Sequence, residues 1–274
     1  MDTRLLKEID GDLQLSPSKI VIYLEGKSDP SIFFALLGVP EPPDGIYRDV
    51  LVKGLSSKHG SGKSAVRERV ETARSQGRGY QGVFGIVDGD GALLDEIRPE
   101  FDPPYVGPVF RWKSYCIESM LCKTGWPLQW GDIDWNSELK SYGPYVAVNR
   151  LHAIVQSDLA ALGLARYSHP KQHATMQTAG DVEALLARAR DTVFSKDISR
   201  LFTDQMNLFE NQLEAGLEQA LAMLNGKWLT EHFAVRKTGQ NERDCLDQWL
   251  SFVRSEGGLD EVRELWRRIT GRDA

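Results

Sequence analysis

The sequence predicts an α/β protein in which a parallel-rich sheet is flanked by helices and followed by a mostly helical C-terminal region. Short apolar runs alternate with helical patterns through about residue 125, and such alternation is typical of a parallel sheet. Beyond residue 126, tryptophans and turn-forming residues come first, and long amphipathic helical patterns follow from Arg150 onward. We therefore expect a sheet domain over residues 1–125 and a mostly helical region over residues 126–274.

Apolar runs and helix signals predict the individual elements in chain order. Strands are expected over 20–24, 46–52, 82–87 and 105–110. Helices are expected over 30–37, over 62–76 and after Ser114, which is suited to an N-cap. The other expectations are a leading helix or loop over 1–18, a turn at Pro99, Pro103 and Pro104, and helical stretches within 181–225 and 242–269.

The composition is that of an ordinary water-soluble protein. The 274 residues are 41% hydrophobic and 26% charged. A net charge of −6 provides no global field that would attract nucleic acid, although a local basic patch is enough for binding. No apolar run approaches the ~18 residues of a membrane span, and no apolar signal core follows the first residues. Three cysteines without a CxxC pair argue against a disulfide framework and a structural zinc site, so we expect a cytoplasmic protein.

Acidic residues follow two of the predicted strands, at the point where each strand ends. Glu25 comes directly after strand 20–24, and Asp88 and Asp90 follow strand 82–87 with a glycine between them. The carboxyl ends of parallel strands meet at one sheet edge, where open α/β folds bind their ligands. Residues two apart on an extended segment share a face, so Asp88 and Asp90 could reach one ion. Because clustered carboxylates repel one another and Mg²⁺ prefers oxygen ligands, we predict a Mg²⁺ site, with Mn²⁺ as a substitute.

Five short motifs carry a resemblance to a known family. In chain order they are Glu25-Gly26-Lys27-Ser28-Asp29, Gly60-Ser61-Gly62-Lys63, Asp88-Gly89-Asp90, Tyr115-Cys116-Ile117-Glu118 and Asn225-Gly226-Lys227. The acidic motifs at two strand ends resemble the TOPRIM domain of topoisomerases, primases and OLD-type nucleases. The whole set is most similar to the stand-alone, OLD-like TOPRIM nucleases that accompany ABC- or AAA-type ATPases in phage-defence systems. The resemblance covers residues 19–123, and the Gly-Lys pair lies beyond it.

This resemblance implies a TOPRIM-like fold and a Mg²⁺-dependent nuclease. The residues it assigns are Glu25, Asp88, Asp90 and Lys227 for catalysis, and Glu25, Asp29, Asp88, Asp90 and Glu118 for the metal. It also implies a nucleic acid substrate, which is DNA or RNA with tRNA as one option, and an ABC- or AAA-type ATPase as partner in antiviral defence. A homodimer is a further expectation, since two-fold dimers are the commonest oligomers.

A basic segment lies between the two acidic motifs. From Lys53 to Arg78 there are seven basic residues against two acidic ones, in a chain that is acidic elsewhere. A phosphate backbone would run along such a segment, and we expect Lys27, Lys63 and Arg67 to bind the substrate. A solvated helix face is the other explanation for these charges.

Plainer explanations stay open for several of these residues. Asp29 is suited to cap the following helix, and Glu118 can favour a helix dipole. A nucleotide-binding P-loop at Gly62 is rejected, because the glycine required five positions earlier is Ser57. Bases could stack on Trp112, Trp126, Trp130 and Trp135, although core packing explains most of these rings.

The rival function, from another class, is a non-catalytic TOPRIM module that binds nucleic acid or an ATPase as an assembly component. Strand passage requires a tyrosine-bearing domain and primer synthesis usually adds a zinc module. Both fit a chain of 274 residues with three unpaired cysteines poorly. The intact acidic residues favour catalysis over the scaffold.

Overall fold

The structure is a computed structural model that describes residues 3–56, 62–102, 107–131, 134–161, 184, 187–188, 190–193 and 195–274. The chain divides into two compact units, one formed by Met1–Ile133 with Leu217–Ala274 and the other by Asp134–Gly216. This division differs from the boundary expected at residue 125, since residues 217–274 belong to the unit that contains the sheet. Composition could not indicate this, because it carries no information on which distant segments pack together.

A five-stranded sheet forms the centre of the first unit, with strand order β2-β3-β1-β4-β5. The strands are β1 Ile20–Leu24, β2 Ile46–Tyr47, β3 Val50–Gly54, β4 Val83–Val87 and β5 Val109–Arg111. β1 pairs in parallel with β3 and with β4, and β4 pairs in parallel with β5. Only the β2–β3 pair is antiparallel within the described residues. The prediction of an α/β fold with a parallel-rich sheet and flanking helices is therefore confirmed.

The strand expected over 46–52 is a hairpin, so that expectation was wrong. β2 and β3 are joined by Arg48 and Asp49, which adopt φ values of 47° and 67°. Two consecutive left-handed residues make the tight turn whose twist suits a hairpin. The apolar pattern hid the turn, because neither residue is a glycine or an asparagine. The strand expected over 105–110 is shorter, at Val109–Arg111, and residues 105–106 lie outside the described residues.

Helices cover both faces of the sheet. The first unit contains α1 Thr3–Leu15, α2 Asp29–Leu37, α3 Lys63–Ser75, α4 Leu94–Phe101, α8 Leu217–Met223, α9 Glu242–Ser255 and α10 Asp260–Thr270. The second unit, described by itself below, contains α5 Trp135–Lys140, α6 Gly143–Ala161 and α7 Ile198–Ala215. Short helical turns lie at Arg78–Tyr80, Glu118–Thr124, Leu128–Trp130, Gly226–Trp228, Leu229–Ala234 and Val235–Thr238. None of the described helices is both long and apolar enough to cross a membrane.

Two local expectations were overturned by packing. Of the turn expected at Pro99, Pro103 and Pro104, Pro99 lies instead in helix α4, which tolerates it because Leu94, Ile97 and Phe101 bury one face at helical spacing. Pro103 and Pro104 lie outside the described residues. The helix expected after Ser114 is instead a 3-10 segment over Glu118–Thr124. The Ser114 hydroxyl is fully buried and has no hydrogen-bond partner among the described residues, so it caps nothing there.

The core has a layer on each side of the sheet. On one side α1 and α3 pack against Val21 and Tyr23 of β1. On the other side lies α2, which is buried nearly all round. The outer side of α2 is covered by α9 and α10, where the Phe33 ring lies 6.4 Å from that of Trp266. Helices that are apolar on every side are buried on every side, so α2 needs this second cover.

The second unit, by itself, is helical in its described residues. Its main contact joins α6 to α7, with Val146 and Ala147 buried in α6 and Phe209 buried in α7. The Arg150 side chain also donates a hydrogen bond to Gln205 at 2.7 Å. These helices agree with the helical character expected from Arg150 onward. Residues 162–183 and several residues between 184 and 195 lie outside the described residues.

Candidate acidic site

The ends of β1 and β4 bring the two acidic motifs together. The strands are neighbours in parallel register, with Leu24 opposite Ile86, so both chains leave the sheet at the same edge. There the Asp88 amide donates a hydrogen bond to the Glu25 carboxylate at 2.7 Å. Burial raises the pKa of Glu25, and the Asp90 and Asp29 carboxylates raise it further, against the opposing effects of that hydrogen bond and of Lys63. The convergence expected from the sequence is therefore present.

Asp88 lies at the centre of the acidic residues. Its carboxylate accepts a hydrogen bond from the Ile117 amide at 3.2 Å. Burial raises the pKa of Asp88 to about 8, and the carboxylates of Glu25, Glu118, Asp29 and Asp90 add to the rise in that order. Carboxyl groups with pKa values this high are frequent at functional sites, because like charges are seldom gathered without a cation to balance them.

Asp29 serves the local turn and faces the acidic cluster at once. It begins α2, and its carboxylate accepts a hydrogen bond from the Gly26 amide at 2.8 Å. A Cβ atom at Gly26 would lie 2.5 Å from an Asp29 carboxylate oxygen, so the turn requires glycine. Burial raises the pKa of Asp29, and the Glu118 carboxylate raises it further. The N-cap position belongs to Ser28 and the Asp29 carboxylate bonds to an amide before the helix, so the expected capping role of Asp29 was wrong. Its contact with the Gly26 turn is compatible with a place in the cluster.

Asp90 faces a different direction from Asp88. It adopts a φ of 52°, which turns the chain and removes the shared face expected of an extended segment. Its amide donates to the Tyr115 carbonyl at 2.8 Å, and its carboxylate lies 2.7 Å from the Lys63 ammonium at the start of α3. The structure therefore pairs the predicted metal ligand Asp90 with the predicted substrate ligand Lys63.

The turn between the two aspartates is held by residues that sequence reasoning missed. Arg111, at the end of β5, donates a hydrogen bond to the Gly89 carbonyl at 2.8 Å. A Cβ atom at Gly89 would lie 2.2 Å from the Ser114 carbonyl oxygen, so only glycine fits. The available signal was Arg111 itself, a cation at the end of a strand that runs beside the acidic motif.

Glu118 and Lys227 meet across the acidic cluster. Glu118 is buried, and one of its carboxylate oxygens has no hydrogen-bond partner among the described residues. The other lies 3.8 Å from the Lys227 ammonium, whose side chain is more than half exposed. The Glu118 carboxylate raises the pKa of Lys227 against the opposing effect of burial. This arrangement assigns Glu118 to the site rather than to a free helix end.

The Gly-Lys turn reaches the site because the preceding segment docks on residues 115–119. The Tyr115 amide donates to the Leu221 carbonyl at 2.8 Å, and the Ser119 hydroxyl donates to the Leu224 carbonyl at 2.7 Å. A Cβ atom at Gly226 would lie 2.1 Å from the Ser119 nitrogen. Glycine thus allows the two backbones to touch, and the next residue, Lys227, then lies beside the acids.

An open cleft of about 400 Å³ lies over the cluster. Its lining residues are Glu25, Gly26, Lys27, Asp29, Leu55, Ser56, Gly62, Asp88 and Lys227. Lys27 is exposed at this cleft, as its expected substrate role requires. Arg67 is not among the described lining residues; its guanidinium instead binds Glu100 at 3.1 Å.

Much of the basic segment serves packing instead of a phosphate track. Arg69 is 4% exposed and pairs with Glu8 of α1, while the Arg74 side chain donates to the Val83 carbonyl. Lys53 binds the buried Asp12 at 2.6 Å. Three of the seven basic residues are therefore used in contacts among α1, α3 and the sheet.

The tryptophans pack in the interior, as the plainer explanation expected. Trp112 is 1% exposed and lies against Phe33. Trp126 stacks on Trp249 with ring centroids 4.2 Å apart, and Trp130 contacts both rings. The buried rings of Trp112 and Trp126 are therefore not free to stack on bases, while Trp130 is partly exposed. The side chain of Trp135 lies outside the described residues.

The raised pKa of Asp88 makes the metal-free protein less stable as the pH rises. Between the ordinary value of 3.8 and about 8, the folded state holds a proton that the unfolded state has lost, so the free energy of unfolding falls across this range. We expect Asp88→Asn in chelator to match the wild type near pH 4 and to exceed it by about 1.4 kcal/mol or more at pH 8.5, one pKa unit being worth about 1.4 kcal/mol. Urea unfolding at both pH values measures this.

Asp134→Asn is the matched control for that measurement. Hydrogen bonds from Ser137 and Asn136 lower the pKa of Asp134, so it is ionised in both states above pH 5. Its effect on stability should not change between pH 5 and pH 8.5. If the gain in free energy of unfolding from Asp88→Asn were also independent of pH between 5 and 8.5, the raised pKa of Asp88 would be contradicted.

No group of three or more His, Cys, Asp or Glu side chains within the described residues has the geometry of a metal site. The acids thus share one electrostatic cluster without forming a finished set of ligands. Comparisons with protein-family models, curated proteins and solved structures found no match. The functional argument therefore depends on the geometry and chemistry of this site.

Proposed function

We propose that this protein is a Mg²⁺-dependent nuclease that hydrolyses phosphodiester bonds of nucleic acid, with a TOPRIM-like catalytic centre. The observation that carries the proposal is the gathering of Glu25, Asp29, Asp88 and Glu118 from separate segments at the carboxyl edge of parallel strands. Like charges at a sheet edge are costly, and a divalent cation removes that cost. The edge is also where open α/β folds bind ligands.

The residues present fit a hard divalent cation. They offer carboxylate oxygens, the ligands that Mg²⁺ and Mn²⁺ prefer, and the buried Glu118 keeps one oxygen without a partner among the described residues. The residues that would hold the ion are Glu25, Asp29, Asp88, Asp90 and Glu118. When bound, such an ion supplies charge stabilisation to a phosphoryl group and lowers the pKa of an attached water molecule.

The remaining groups of the cleft suit a phosphate substrate. Lys227 and Lys27 line the cleft with positive charge beside the acids, where they would bind and orient a phosphodiester. The pKa of Lys227 is raised by Glu118, so its ammonium keeps its proton at neutral pH. We assign Lys227 the role of stabilising negative charge on the phosphate and Lys27 that of holding the neighbouring backbone.

One observation favours a second candidate, a non-catalytic module that binds nucleic acid or an ATPase. Within the described part of the chain the acids do not form a finished metal site, and Asp90 is paired with a lysine. A binding module would need no such site. The two candidates differ in what a divalent cation does to nucleic acid mixed with the protein.

The deciding experiment is incubation of purified protein with mixed single- and double-stranded DNA, RNA and tRNA. We expect cleavage with Mg²⁺ or Mn²⁺ and none with chelator, and the cleaved class identifies the substrate. Binding without cleavage in every metal condition would favour the module. Neither binding nor cleavage would count against both candidates.

We further propose that the protein is the effector of an ATPase-coupled antiviral system, on the strength of the motif resemblance alone. An unrestrained nuclease would harm its own cell, so a partner that controls it is expected. The test is co-purification with the product of a neighbouring ATPase gene, followed by the cleavage assay with and without ATP. Strong activity of the isolated chain and no such partner would remove the defence assignment and leave the nuclease intact.

A further inference from the structure

Lys63 occupies a position at the acidic site that a cation would take. Its ammonium lies 2.7 Å from an Asp90 carboxylate oxygen. The start of α3 is tied to the end of β1, because the Gly62 amide donates to the Glu25 carbonyl at 3.1 Å. Gly62 adopts a φ of 83°, so glycine allows the sharp entry to the helix. The lysine is thus delivered to the site by backbone contacts.

We propose that Lys63 is an exchangeable occupant of the cation site, holding Asp90 in the metal-free protein and leaving it when a divalent ion binds. The displaced ammonium then becomes available to a substrate phosphate at the mouth of the cleft. Metal and nucleic acid therefore bind with positive coupling, each favouring the other. This inference rests on the proposed function, since it concerns the same metal and substrate.

The Lys63–Asp90 pair has the character of an exchangeable contact. The Asp90 side chain is 54% exposed, and an exposed ion pair is weak enough to break when a stronger cation arrives. The Lys53–Asp12 pair differs, because Asp12 is 7% exposed and also accepts a hydrogen bond from the Tyr23 hydroxyl at 2.8 Å. That second pair is built into the core. Of these two ion pairs, Lys63–Asp90 is the one that lies at the acidic cluster.

The exchange also reconciles two sequence predictions. Asp90 was expected to bind metal and Lys63 to bind substrate, yet the structure joins them to each other. If both predictions hold, the pair must open, and one event opens it for both ligands. An ammonium and a divalent cation compete for the same carboxylate oxygens, so metal binding supplies that event.

Calorimetric titration with Mg²⁺ alone tests the first half of the exchange. We expect Lys63→Met to bind Mg²⁺ about five- to tenfold more tightly than the wild type, because the competing ammonium is gone. Lys63→Arg keeps a competing cation and should stay near the wild type. Lys27→Met is the matched control: it removes the same charge from a lysine that lines the cleft over the acidic cluster and has no ion pair in the described residues, and it should change affinity by less than about twofold.

A phosphorothioate single-stranded oligonucleotide tests the second half by fluorescence anisotropy. Mg²⁺ should tighten its binding to the wild type about fivefold and to Lys63→Met much less, since coupling between two ligands is reciprocal. Thermal unfolding in chelator shows that each variant is folded. Unchanged or weaker Mg²⁺ binding by Lys63→Met, or equal coupling in both proteins, would overturn the exchange and leave the nuclease proposal standing. No Mg²⁺ binding by the wild type would overturn both.

Discussion

Replacing both Asp88 and Asp90 with alanine is expected to reduce metal-dependent cleavage of nucleic acid by about 10³-fold or more. A loss of this size is typical when a catalytic group is removed from an enzyme. The two carboxylates face different neighbours, Asp88 toward the Ile117 amide and Asp90 toward Lys63, so the double change removes acids from both sides of the turn. Initial rates with saturating Mg²⁺ measure the effect.

Stability should change in the opposite direction. Burial and four neighbouring carboxylates disfavour the ionised form of Asp88, so its removal relieves repulsion in the metal-free protein. Asp95→Ala is the control, since that carboxylate is 87% exposed on α4 and pairs only with Arg98 among the described residues. It should leave the rate unchanged. Full activity in the double variant would exclude a metal site at this turn.

Gly226→Ala is expected to disrupt the site through the backbone. The added Cβ atom would lie 2.1 Å from the Ser119 nitrogen and 2.5 Å from the Glu118 carbonyl carbon, and these atoms cannot move without shifting the segment that carries Glu118. Overpacking of this kind costs about 1–3 kcal/mol. We expect a fall of that size in the free energy of unfolding, together with loss of cleavage, because Lys227 and Glu118 move apart.

Two variants separate these effects. Gly11→Ala places a Cβ atom where nothing lies within 4 Å, in the middle of α1, and should raise stability by up to about 1 kcal/mol without changing cleavage. Lys227→Met should lose cleavage while its free energy of unfolding falls by less than about 1 kcal/mol, since that side chain is largely exposed and its ammonium lies 3.8 Å from Glu118. A Gly226→Ala protein that unfolds and cleaves like the wild type would mean that the Gly-Lys turn plays no part in the site.

The alternation of strands and helices was readable from the sequence because it is a local property. Helix α3 was expected over 62–76 and is found at Lys63–Ser75, and strand 20–24 was predicted to the residue. The turn at Arg48 and Asp49 was missed, since its left-handed residues carry no glycine signal. Helix α4 was missed because Pro99 suggested a turn. The apolar face of α4 stabilises the helix only through the residues that it packs against, and the local sequence does not show these.

The sequence by itself determined which acids gather at the sheet edge, because parallel strands end on the same side and Glu25 and Asp88 each follow one. Only the tertiary structure decided that Asp90 turns to Lys63 and that Arg111 holds the Gly89 carbonyl. The tertiary structure alone brought Lys227 to Glu118. The segment that precedes Lys227 docks on residues 115–119, where Ser119 bonds to Leu224, a residue 105 positions further along the chain. Such pairings depend on which distant backbones fit together, and no local pattern of residues encodes that fit.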